Sequence, residues 1–558
     1  MKLLKKSRLN CIMFLFMIKY FKYIYGALMI KRISAAILCL ILIITAFSGC
    51  LGNKKTGASF SMPITDEPTS LDPQIADSNS EKMIVLNCFE GLVRINSHGE
   101  IENGVAEEYY VSDDGLTYTF KLRDNAHWAL FSGHKSVIGE NYKDTFDINV
   151  YAEDFEFAFQ RVFDEHISSP YTEFFSCIDS FSAPDRHTFI INLKYAYDGF
   201  LRLLTLPGAM PCDKEFYELT GGKYGLDAKY MLCNGAFNAS KWTEGTSIRI
   251  VKNDDYNGVN TINPASVTFY INSSDDMVFE KMLAKTYDAA FINHDNYKKL
   301  ETSNADDYDS TEILDTVYTF VFNQANKYLE NKNIRLAITH CLNLENISES
   351  AGGLKPAKGI VPEFCKIGDT LYRDINQGYS TEYNEALARE LFEQGLLEIG
   401  ASSVEVEIKC TEEYENSLKQ VIQTLQKILG VKFVVSVNVM SASELTAAVS
   451  DGNYSVVFYP FTASSDSADD FLVSLSRRNL FGYNSEDFNA AIEQIKVSKG
   501  NNAELINSCI AAENVLYNDA VVIPVLFGNS YFITNKKTEG IYFYSSPSNV
   551  VFMQALKK

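Results

Sequence analysis

Two periodic patterns of apolar residues stand next to each other in the last third of the chain. Val404, Val406 and Ile408 alternate with polar residues, which is the two-residue period of a strand with one buried face. Apolar residues then recur at steps of three and four across 418–429, which predicts an amphipathic helix. Gly430 follows where a C-terminal cap favours a positive φ.

Three further elements are predicted to continue this region. They are a strand over 431–439, a short helix over 445–449 and an apolar strand over 454–459. Together with the preceding strand and helix they form a βαβαβ unit, which predicts a mostly parallel sheet covered by helices. Another helix is predicted earlier, over 334–342.

Two other stretches have the pattern of strands. Residues 234–256 are typical of a turn followed by a hairpin, with Gly235 and Gly245 at the tight-turn positions. Residues 520–534 (AVVIPVLFGNSYFIT) are rich in β-forming residues, and we expect two short strands divided at Gly528. Strands and helices thus alternate along the whole body of the chain, which indicates the α/β class.

The start of the chain has the pattern of an export signal. From Met29 it reads MIKRISAAILCLILIITAFSGC, a basic cap followed by an apolar run over 33–47 that is shorter than the roughly 20 residues of a membrane-spanning helix. Its end, with Cys50, resembles the bacterial lipobox, which implies lipidation of Cys50 and a signal peptide over 1–49. The true start is Met29 if the preceding residues are not translated. The alternative is an N-terminal membrane helix with an incidental cysteine.

The charge of the chain changes sharply after this segment. Residues 1–49 carry eight basic residues and no acidic ones, so the remainder has 42 basic against 71 acidic residues and a net charge of −29. Such a body is repelled by nucleic acid and by anionic lipid headgroups. Roughly 500 residues also exceed the size at which one hydrophobic core stops growing, so two or more lobes are expected.

The sequence contains no motif with a fixed catalytic or metal-binding geometry. It has no H-E-x-x-H, no G-x-S-x-G and no glycine-rich phosphate loop after a strand, and its carboxylate pairs are too common to indicate catalysis. We therefore predict no enzyme activity, no metal and no cofactor. The eight cysteines after Cys50 have no C-x-x-C spacing, so we expect scattered buried thiols and no disulfide framework.

The segment after the last strand of the βαβαβ unit is the first candidate for binding. Ligands of open α/β sheets bind beyond the carboxyl ends of the strands. The segment YPFTASSD lies there, and an ordinary surface loop is the alternative. It offers groups that stack or form hydrogen bonds, namely Tyr459, Phe461, Thr462, Ser464, Ser465 and Asp466.

Nine collinear segments resemble the peptide and nickel class of extracellular solute-binding proteins of ABC importers, most closely the oligopeptide-binding type. Besides the βαβαβ unit, they are DEPTSLDPQ from Asp66, FEGLVRINSHGEIENGVAEEYYVSDDGLTYTFKLRDNAHW from Phe89, YAEDFEFAFQRV from Tyr151, NGAFNASKW from Asn234, FNQANKYLENKNIRLAITHCLNLENI from Phe322, YNEALARELFEQG from Tyr383, DGNYSVVFYPF from Asp451 and AVVIPVL from Ala520. They span the mature chain.

The resemblance implies a two-lobed, periplasmic-binding-protein-like fold of the class II, venus-flytrap type, with an extra subdomain on the first lobe. Two crossover strands, near 315–320 and 523–527, would act as the hinge. The expected divisions, after a linker over 50–59, are lobe I over 60–88 and 206–315, the extra subdomain over 89–205, lobe II over 316–525, and a return to lobe I over 526–558. Residues 129–150 are an expected surface insertion, with a partly disordered loop as the alternative.

Site residues are also implied by the resemblance. Residues 458–464 align with the family segment that binds the peptide backbone and supplies an aspartate for its amino group. Ser464 stands at the position of that aspartate, and Phe458 stands where the oligopeptide binder has an arginine. Asp466 could take the place of the aspartate only if the loop shifts. Thr316 and Thr462 stand where the oligopeptide binder has a disulfide. The other candidates match a turn that faces the cleft: Asn234, Gly235, Ala236 and Phe237.

The expected function is therefore a lipid-anchored receptor on the external face of the cell membrane. It would capture extended oligopeptides between its lobes and deliver them to ABC permease and ATPase subunits, as a monomer and without a nucleic-acid partner. Two alternatives remain open. The same fold could bind a non-peptide solute such as a metal chelate or an oligosaccharide, or the protein could be a signalling or adhesion lipoprotein.

Overall fold

The computed structural model describes residues 57–558, apart from residues 198, 259, 304, 353, 369, 380–381, 464, 478–482 and 546–547. The predicted signal peptide, Cys50 and most of the predicted linker lie outside these residues, as does Ser464. The part from Gly57 to Lys558 forms one compact unit. No helix in this part combines the length and the apolar character that crossing a bilayer requires.

The described strands are β1 (Ser59–Ile64), β2 (Val93–Ile95), β3 (Ile101–Asn103), β4 (Ala106–Val111), β5 (Thr117–Leu122), β6 (Ile178–Asp185), β7 (Thr188–Leu193), β8 (Phe237–Thr243), β9 (Ser247–Lys252), β10 (Ser266–Ile271), β11 (Ala289–Asn293), β12 (Tyr308–Phe322), β13 (Lys366–Ile367), β14 (Thr370–Leu371), β15 (Val404–Cys410), β16 (Phe433–Val439), β17 (Val456–Thr462), β18 (Val522–Asn535), β19 (Thr538–Glu539), β20 (Tyr542–Ser545), β21 (Ser548–Val551) and β22 (Leu556–Lys557).

The described α-helices are α1 (Asn79–Cys88), α2 (Lys135–Ile138), α3 (Tyr142–Thr145), α4 (Ala152–Val162), α5 (Phe200–Leu203), α6 (Lys214–Leu219), α7 (Asp275–Leu283), α8 (His294–Ser303), α9 (Lys332–His340), α10 (Leu344–Ser350), α11 (Tyr372–Ile375), α12 (Glu385–Ile399), α13 (Glu415–Leu429), α14 (Ala442–Ser450), α15 (Ala468–Arg477), α16 (Glu486–Ser498) and α17 (Asn502–Asn518).

Three larger sheets organise these elements. Two have four strands, in the orders β1-β10-β9-β8 and β4-β5-β7-β6, and the third has six, in the order β11-β18-β12-β17-β15-β16. In the six-stranded sheet β15 is parallel to both β16 and β17. The predicted βαβαβ unit with a mostly parallel sheet is therefore confirmed as β15-α13-β16-α14-β17.

Helix α13 shows why this unit could be predicted. Its apolar stripe, which includes Leu418, Val421 and Leu425, is buried, while the intervening polar residues face outward. The helix ends before Gly430, whose φ of 75° is positive as expected. Its ψ of −166° lies outside the left-handed helical region, so the expected left-handed cap does not form. The predicted hairpin is likewise confirmed as β8 and β9, with Gly245 at φ 64° in its turn.

The prediction that β17 ends at Tyr459 is wrong. The strand continues to Thr462 because β12 pairs with its whole length, and Thr316 lies opposite Thr462 while Thr319 lies opposite Tyr459. Residues 459–462 are therefore strand rather than loop. Pro460 is accommodated within the strand, opposite Tyr318.

The predicted division of residues 520–534 at Gly528 is also wrong. They form the single strand β18, which pairs with β12 on both sides of the glycine. Gly528 itself lies opposite Thr316, and a register irregularity occurs in this stretch between Ile313 and Thr316. A continuous partner strand thus outweighs the weak strand preference of one glycine.

Four groups of buried side chains fill the described part of the molecule. One extends from β1 through the β4-β5-β7-β6 sheet to β21. Two cover opposite faces of the six-stranded sheet, so Phe458 packs on one face and Val457 and Phe461 pack on the other. The fourth joins α7, α8, β11 and β18. The lobe boundaries given by residue number above stay a prediction.

The expected insertion over 129–150 is folded, with a 3₁₀ turn (Ser132–His134) followed by α2 and α3. His134 is fully buried, and its Nε2 lies 2.9 Å from the carbonyl oxygen of Met231. Its ring makes edge contacts with Phe131 and Phe216 at centroid distances of 4.4 and 5.1 Å. The insertion is therefore anchored by a buried imidazole rather than being a partly disordered loop.

We expect His134 to make the protein sensitive to acid. Burial lowers the pKa of His134 to about 4, and the hydrogen bond to Met231 offsets only part of this. The unfolded chain titrates near 6.5, so it binds more protons than the folded state between these values. The stability contributed by neutral His134 is complete above about pH 6.5 and is lost as the pH falls toward 4, by roughly 3 kcal/mol.

The free energy of unfolding, measured from pH 4 to 8 for the wild type and for His134→Asn, tests this expectation. The variant keeps a side-chain amide that can donate to Met231 but has no group titrating in this range. The difference between the two curves should shrink as the pH falls. Parallel curves would show that His134 is not the acid-sensitive group.

The eight cysteines after Cys50 are buried, as predicted, and none of them is paired in the structure. Burial raises the pKa of Cys212 to about 12 and that of Cys410 to about 11. Thiols held in the protonated form react slowly. The buried cysteines are Cys88, Cys177, Cys212, Cys233, Cys341, Cys365, Cys410 and Cys509.

Candidate functional site

The carboxyl ends of β15, β16 and β17 meet at one edge of the six-stranded sheet, which is where ligands bind in open α/β sheets. The chain leaves β15 through a 3₁₀ turn, Glu412–Tyr414, and leaves β17 toward β13. There Lys366 donates its backbone N–H to the carbonyl oxygen of Asp466 at 2.6 Å. Thr316 reaches the same edge because β12 runs antiparallel to β17.

Strand β17 has an open backbone edge at this end. Its pairing with β15 stops at Val457, whereas its pairing with β12 continues to Thr462. Ser455 accepts the N–H of Asn323, and Ala463 donates to the carbonyl of Asp315, so odd-numbered residues direct their backbone groups toward β12. Since these directions alternate along a strand, Phe458, Pro460 and Thr462 direct theirs to the other side. There the pairing of Lys409 with Val457 uses the N–H of Phe458, which leaves the carbonyls of Phe458 and Pro460 and both backbone groups of Thr462 open.

Two threonine side chains connect the strands at the end of this edge. The hydroxyl oxygens of Thr316 and Thr462 lie 2.9 Å apart, and Thr462 is exposed. Thr316 also donates to Asp315 Oδ1 at 2.9 Å, so Thr462 is the donor of the shared hydrogen bond. A hydroxyl pair thus joins β12 to β17 at the positions where the resemblance places a disulfide.

The structure distributes the other predicted residues of this segment over different environments. Tyr459 is half-buried, and its ring lies 5.4 Å from that of Phe461, which is almost fully buried in the core. Asp466 is half-buried, with its carboxylate 3.9 Å from Lys366 Nζ. Ser464 lies outside the described residues. A ligand contact by any of these side chains stays a prediction.

The second predicted group, at residues 234–237, lies elsewhere in the molecule. Asn234 Oδ1 accepts the Glu90 N–H at 3.0 Å, and its Nδ2 donates to the Glu90 carbonyl at 2.8 Å. Gly235 donates its N–H to the Cys88 carbonyl at 2.8 Å, and Phe237 is fully buried. Ala236 lines a cavity of about 80 Å³ next to Glu90. Their role as cleft residues stays a prediction, and the structure shows them holding β8 against the end of α1.

A cavity of about 170 Å³ lies beside the turn after β15, and sequence reasoning missed its residues. Tyr318 of β12 and Tyr414 form one wall, with ring centroids 4.7 Å apart. Tyr318 also stacks on Phe458 of β17 at 5.8 Å. Desolvation, and then the charge of Asp275, raise the pKa of Glu413 at the cavity to about 7. The cavity therefore adjoins the open edge of β17.

A comparison with known protein families identifies the family of this chain. A model of the bacterial extracellular solute-binding proteins, family 5, middle part, matches residues 100–481, more than half of the chain. The chain belongs to this family. This family 5 protein is accordingly a solute-binding protein and not an enzyme, as the lack of catalytic motifs predicted.

Curated relatives resemble the family 5 protein along nearly their whole length. The dipeptide-binding protein DppE of Bacillus subtilis is 25% identical over 537 residues, which cover 89% of this chain and 94% of DppE. The oligopeptide-binding protein OppA of the same organism is 25% identical, with 88% and 91% covered.

Solved structures share the fold. The substrate-binding domain of an oligopeptide ABC transporter from Bacillus anthracis matches with a TM-score of 0.75 at 20% identity, covering 90% of this chain and 100% of that domain. Listeria monocytogenes OppA bound to peptide matches with a TM-score of 0.73 at 20% identity, covering 90% and 99%. The predicted two-lobed α/β fold is thereby confirmed.

Proposed function

We propose that this family 5 protein binds extended oligopeptides by adding the peptide as a strand to the open edge of β17. The open carbonyls of Phe458 and Pro460 and the open N–H and carbonyl of Thr462 are the observation that carries this proposal. Main-chain pairing supplies affinity that does not depend on the peptide's side chains. The names of the relatives, which include dipeptide-binding and oligopeptide-binding proteins, support the same ligand class.

The wider cellular role is part of the same proposal. The signal at the start of the chain supports export and lipidation at Cys50, which would hold the protein as a monomer on the external face of the cell membrane. From there it would deliver peptides to the permease and ATPase subunits of an ABC importer. The net charge of −29 after the signal keeps the body away from anionic headgroups.

The two long strands β12 and β18 are the proposed hinge between the lobes. They pair with each other from Tyr308 to Val321, and this ladder has irregularities between Ile313 and Thr316 and between Tyr318 and Thr319. A strand bends most readily at such irregularities. We therefore propose that the lobes close about this stretch, with lobe II over 316–525 as the moving body.

Peptide binding is expected to raise the melting temperature of the protein. The test uses a mixed library of peptides of two to ten residues, followed by individual peptides and their copies with N-methylated backbones. N-methylation removes a main-chain donor and leaves the side chains unchanged. We expect it to weaken binding about tenfold when the donor faces β17, the equivalent of about 1.4 kcal/mol for one hydrogen bond.

A matched pair of variants tests the same edge from the protein side. Thr462→Pro removes the backbone N–H that faces the open side, and Thr462→Ala keeps it while removing the hydroxyl. Thr462→Pro should lower the affinity for a peptide about tenfold, whereas Thr462→Ala should change this affinity less than threefold. No shift with any peptide would reject peptide binding and favour a non-peptide solute. Equal effects of the two variants would reject strand addition at this edge.

A further inference from the structure

The cavity beside the turn after β15 is built from five separate segments of the described chain. We call it the acceptor pocket and define it by His294, Asp295, Tyr318, Glu413, Tyr414 and Asn529, which lie on α8, β12, the turn after β15, and β18. Its volume of about 170 Å³ is large enough for the end of one long side chain. It adjoins Phe458 through the stacked ring of Tyr318.

Two buried atoms of the pocket are acceptors without a protein donor. His294 Nε2 lies 3.2 Å from the carbonyl oxygen of Gly352, and since a carbonyl only accepts, Nε2 carries the proton. When the ring is neutral, Nδ1 is the acceptor, and this atom is buried without a hydrogen-bond partner among the described residues.

Asn529 supplies the second such atom. Its Nδ2 donates to Glu312 Oε1 at 2.7 Å and lies 3.0 Å from the Tyr531 hydroxyl, which fixes the orientation of the amide. Its Oδ1 is then the free acceptor, and it is buried and unpaired. A buried acceptor without a donor costs free energy, so a ligand that brings several donors is favoured at this place.

Carboxylates add negative charge around the same pocket. Asp295 and Glu413 line it, and Asp275 is close enough to raise the pKa of Glu413. Within the described residues none of these three carboxylates takes part in an ion pair with lysine, arginine or histidine. The charge is therefore available to a positively charged ligand group.

The aromatic wall completes a lining that suits a cation. The faces of tyrosine rings attract guanidinium and ammonium groups, and Tyr318 and Tyr414 stand together at the pocket. Tyr318 lies opposite Pro460 in the ladder, on the sheet face that also carries Phe458. Because side chains of a paired strand project from the sheet faces, one side chain of a peptide at the β17 edge can reach the pocket.

We propose that the acceptor pocket is a subsite for a cationic group of the bound peptide, a guanidinium or an ammonium. The proposal rests on the peptide-binding function proposed above and makes the protein selective for basic peptides. The group is the side chain of an arginine or a lysine. A guanidinium fits the lining well because it donates five N–H groups and accepts none.

The test uses matched tetrapeptides, Ala-Ala-Arg-Ala and the same peptide with citrulline, which keeps the shape of arginine without its charge. Both are measured by calorimetry with free and with acetylated amino termini. We expect the arginine peptide to bind at least tenfold more tightly than the citrulline peptide. The preference should survive acetylation of the amino terminus, because the side chain carries the recognised charge. A preference that disappears on acetylation would contradict a side-chain subsite.

Variants of the acceptor pocket test whether the preference for the charged peptide arises there. Glu413→Gln should reduce the preference for the charged peptide to less than threefold. Asp295→Asn is a second pocket variant should Glu413→Gln disturb folding, and Glu393→Gln, at an exposed ion pair with Lys432, is the control. Tight and equal binding of both peptides would overturn the subsite while leaving peptide binding intact. Absence of binding by every peptide would overturn the proposed function itself.

Discussion

Replacing Lys499 with methionine is expected to lower the free energy of unfolding by about 3–5 kcal/mol, because it leaves two buried carboxylates without a cation. Lys499 Nζ lies 3.0 Å from Asp470 and 3.3 Å from Asp469, and all three side chains are less than one tenth exposed. Burial alone would lower the pKa of Lys499, yet Asp470 and Asp469 outweigh it and raise the pKa well above its usual value. Denaturant unfolding followed by circular dichroism measures the loss.

Two further variants separate the loss of the ion pair from a general effect of the substitution. Lys432→Met removes a lysine from an exposed pair with Glu393, at 2.7 Å, and should cost less than about 1 kcal/mol. Adding Asp470→Asn to Lys499→Met should restore part of the stability, since one unpaired charge is then removed. A Lys499→Met variant as stable as Lys432→Met would contradict the expectation.

Arg161→Met is expected to lower the free energy of unfolding by an equal amount, about 3–5 kcal/mol. Arg161 and Asp72 form an ion pair in which both side chains are less than one twentieth exposed, and Arg161 also hydrogen-bonds to Gln74. Its guanidinium lies 4.2 Å from the centre of the Tyr217 ring. Removing the cation leaves the buried carboxyl group of Asp72 without its ion-pair partner.

The fluorescence of the tryptophans reports on this region, because Trp128 and Trp242 belong to the same core as Arg161's helix. The midpoint of unfolding, followed by this signal, should shift to a lower denaturant concentration for Arg161→Met. Lys135→Met, which removes an exposed ion pair with Glu140 at 2.6 Å, is the matched control and should shift it little. Similar shifts for the two variants would show that the Arg161 ion pair does not stabilise the fold.

Local pattern was sufficient for the elements of the βαβαβ unit. The alternation at Val404 and the stripe of α13 depend on neighbours within a few residues, and both were correctly predicted. The end of β17 was not, because residues 459–462 become strand only by pairing with β12, about 140 residues earlier in the chain. The continuity of β18 through Gly528 has the same distant origin.

The sites show the same limit more strongly. Charged residues of equal type look alike in the sequence, so nothing there separated buried Lys499 from exposed Lys432. The acceptor pocket collects residues from five segments, and Glu413 has the appearance of an ordinary acidic residue at a helix start. The resemblance indicated residues 458–464 because they form one continuous segment that can be aligned with the family. A pocket assembled from distant segments cannot be aligned in this way.

Pro460 gives the open edge of β17 a property that matters when no peptide is present. A bare strand edge is a template on which a second copy of the same protein can pair, and proline interrupts the row of donors that such pairing needs. Copies of the protein at high concentration would otherwise tend to aggregate through these edges. A short peptide would pair through a few contacts on either side of the proline. The missing donor would therefore cost it less binding free energy than it would cost a long protein strand.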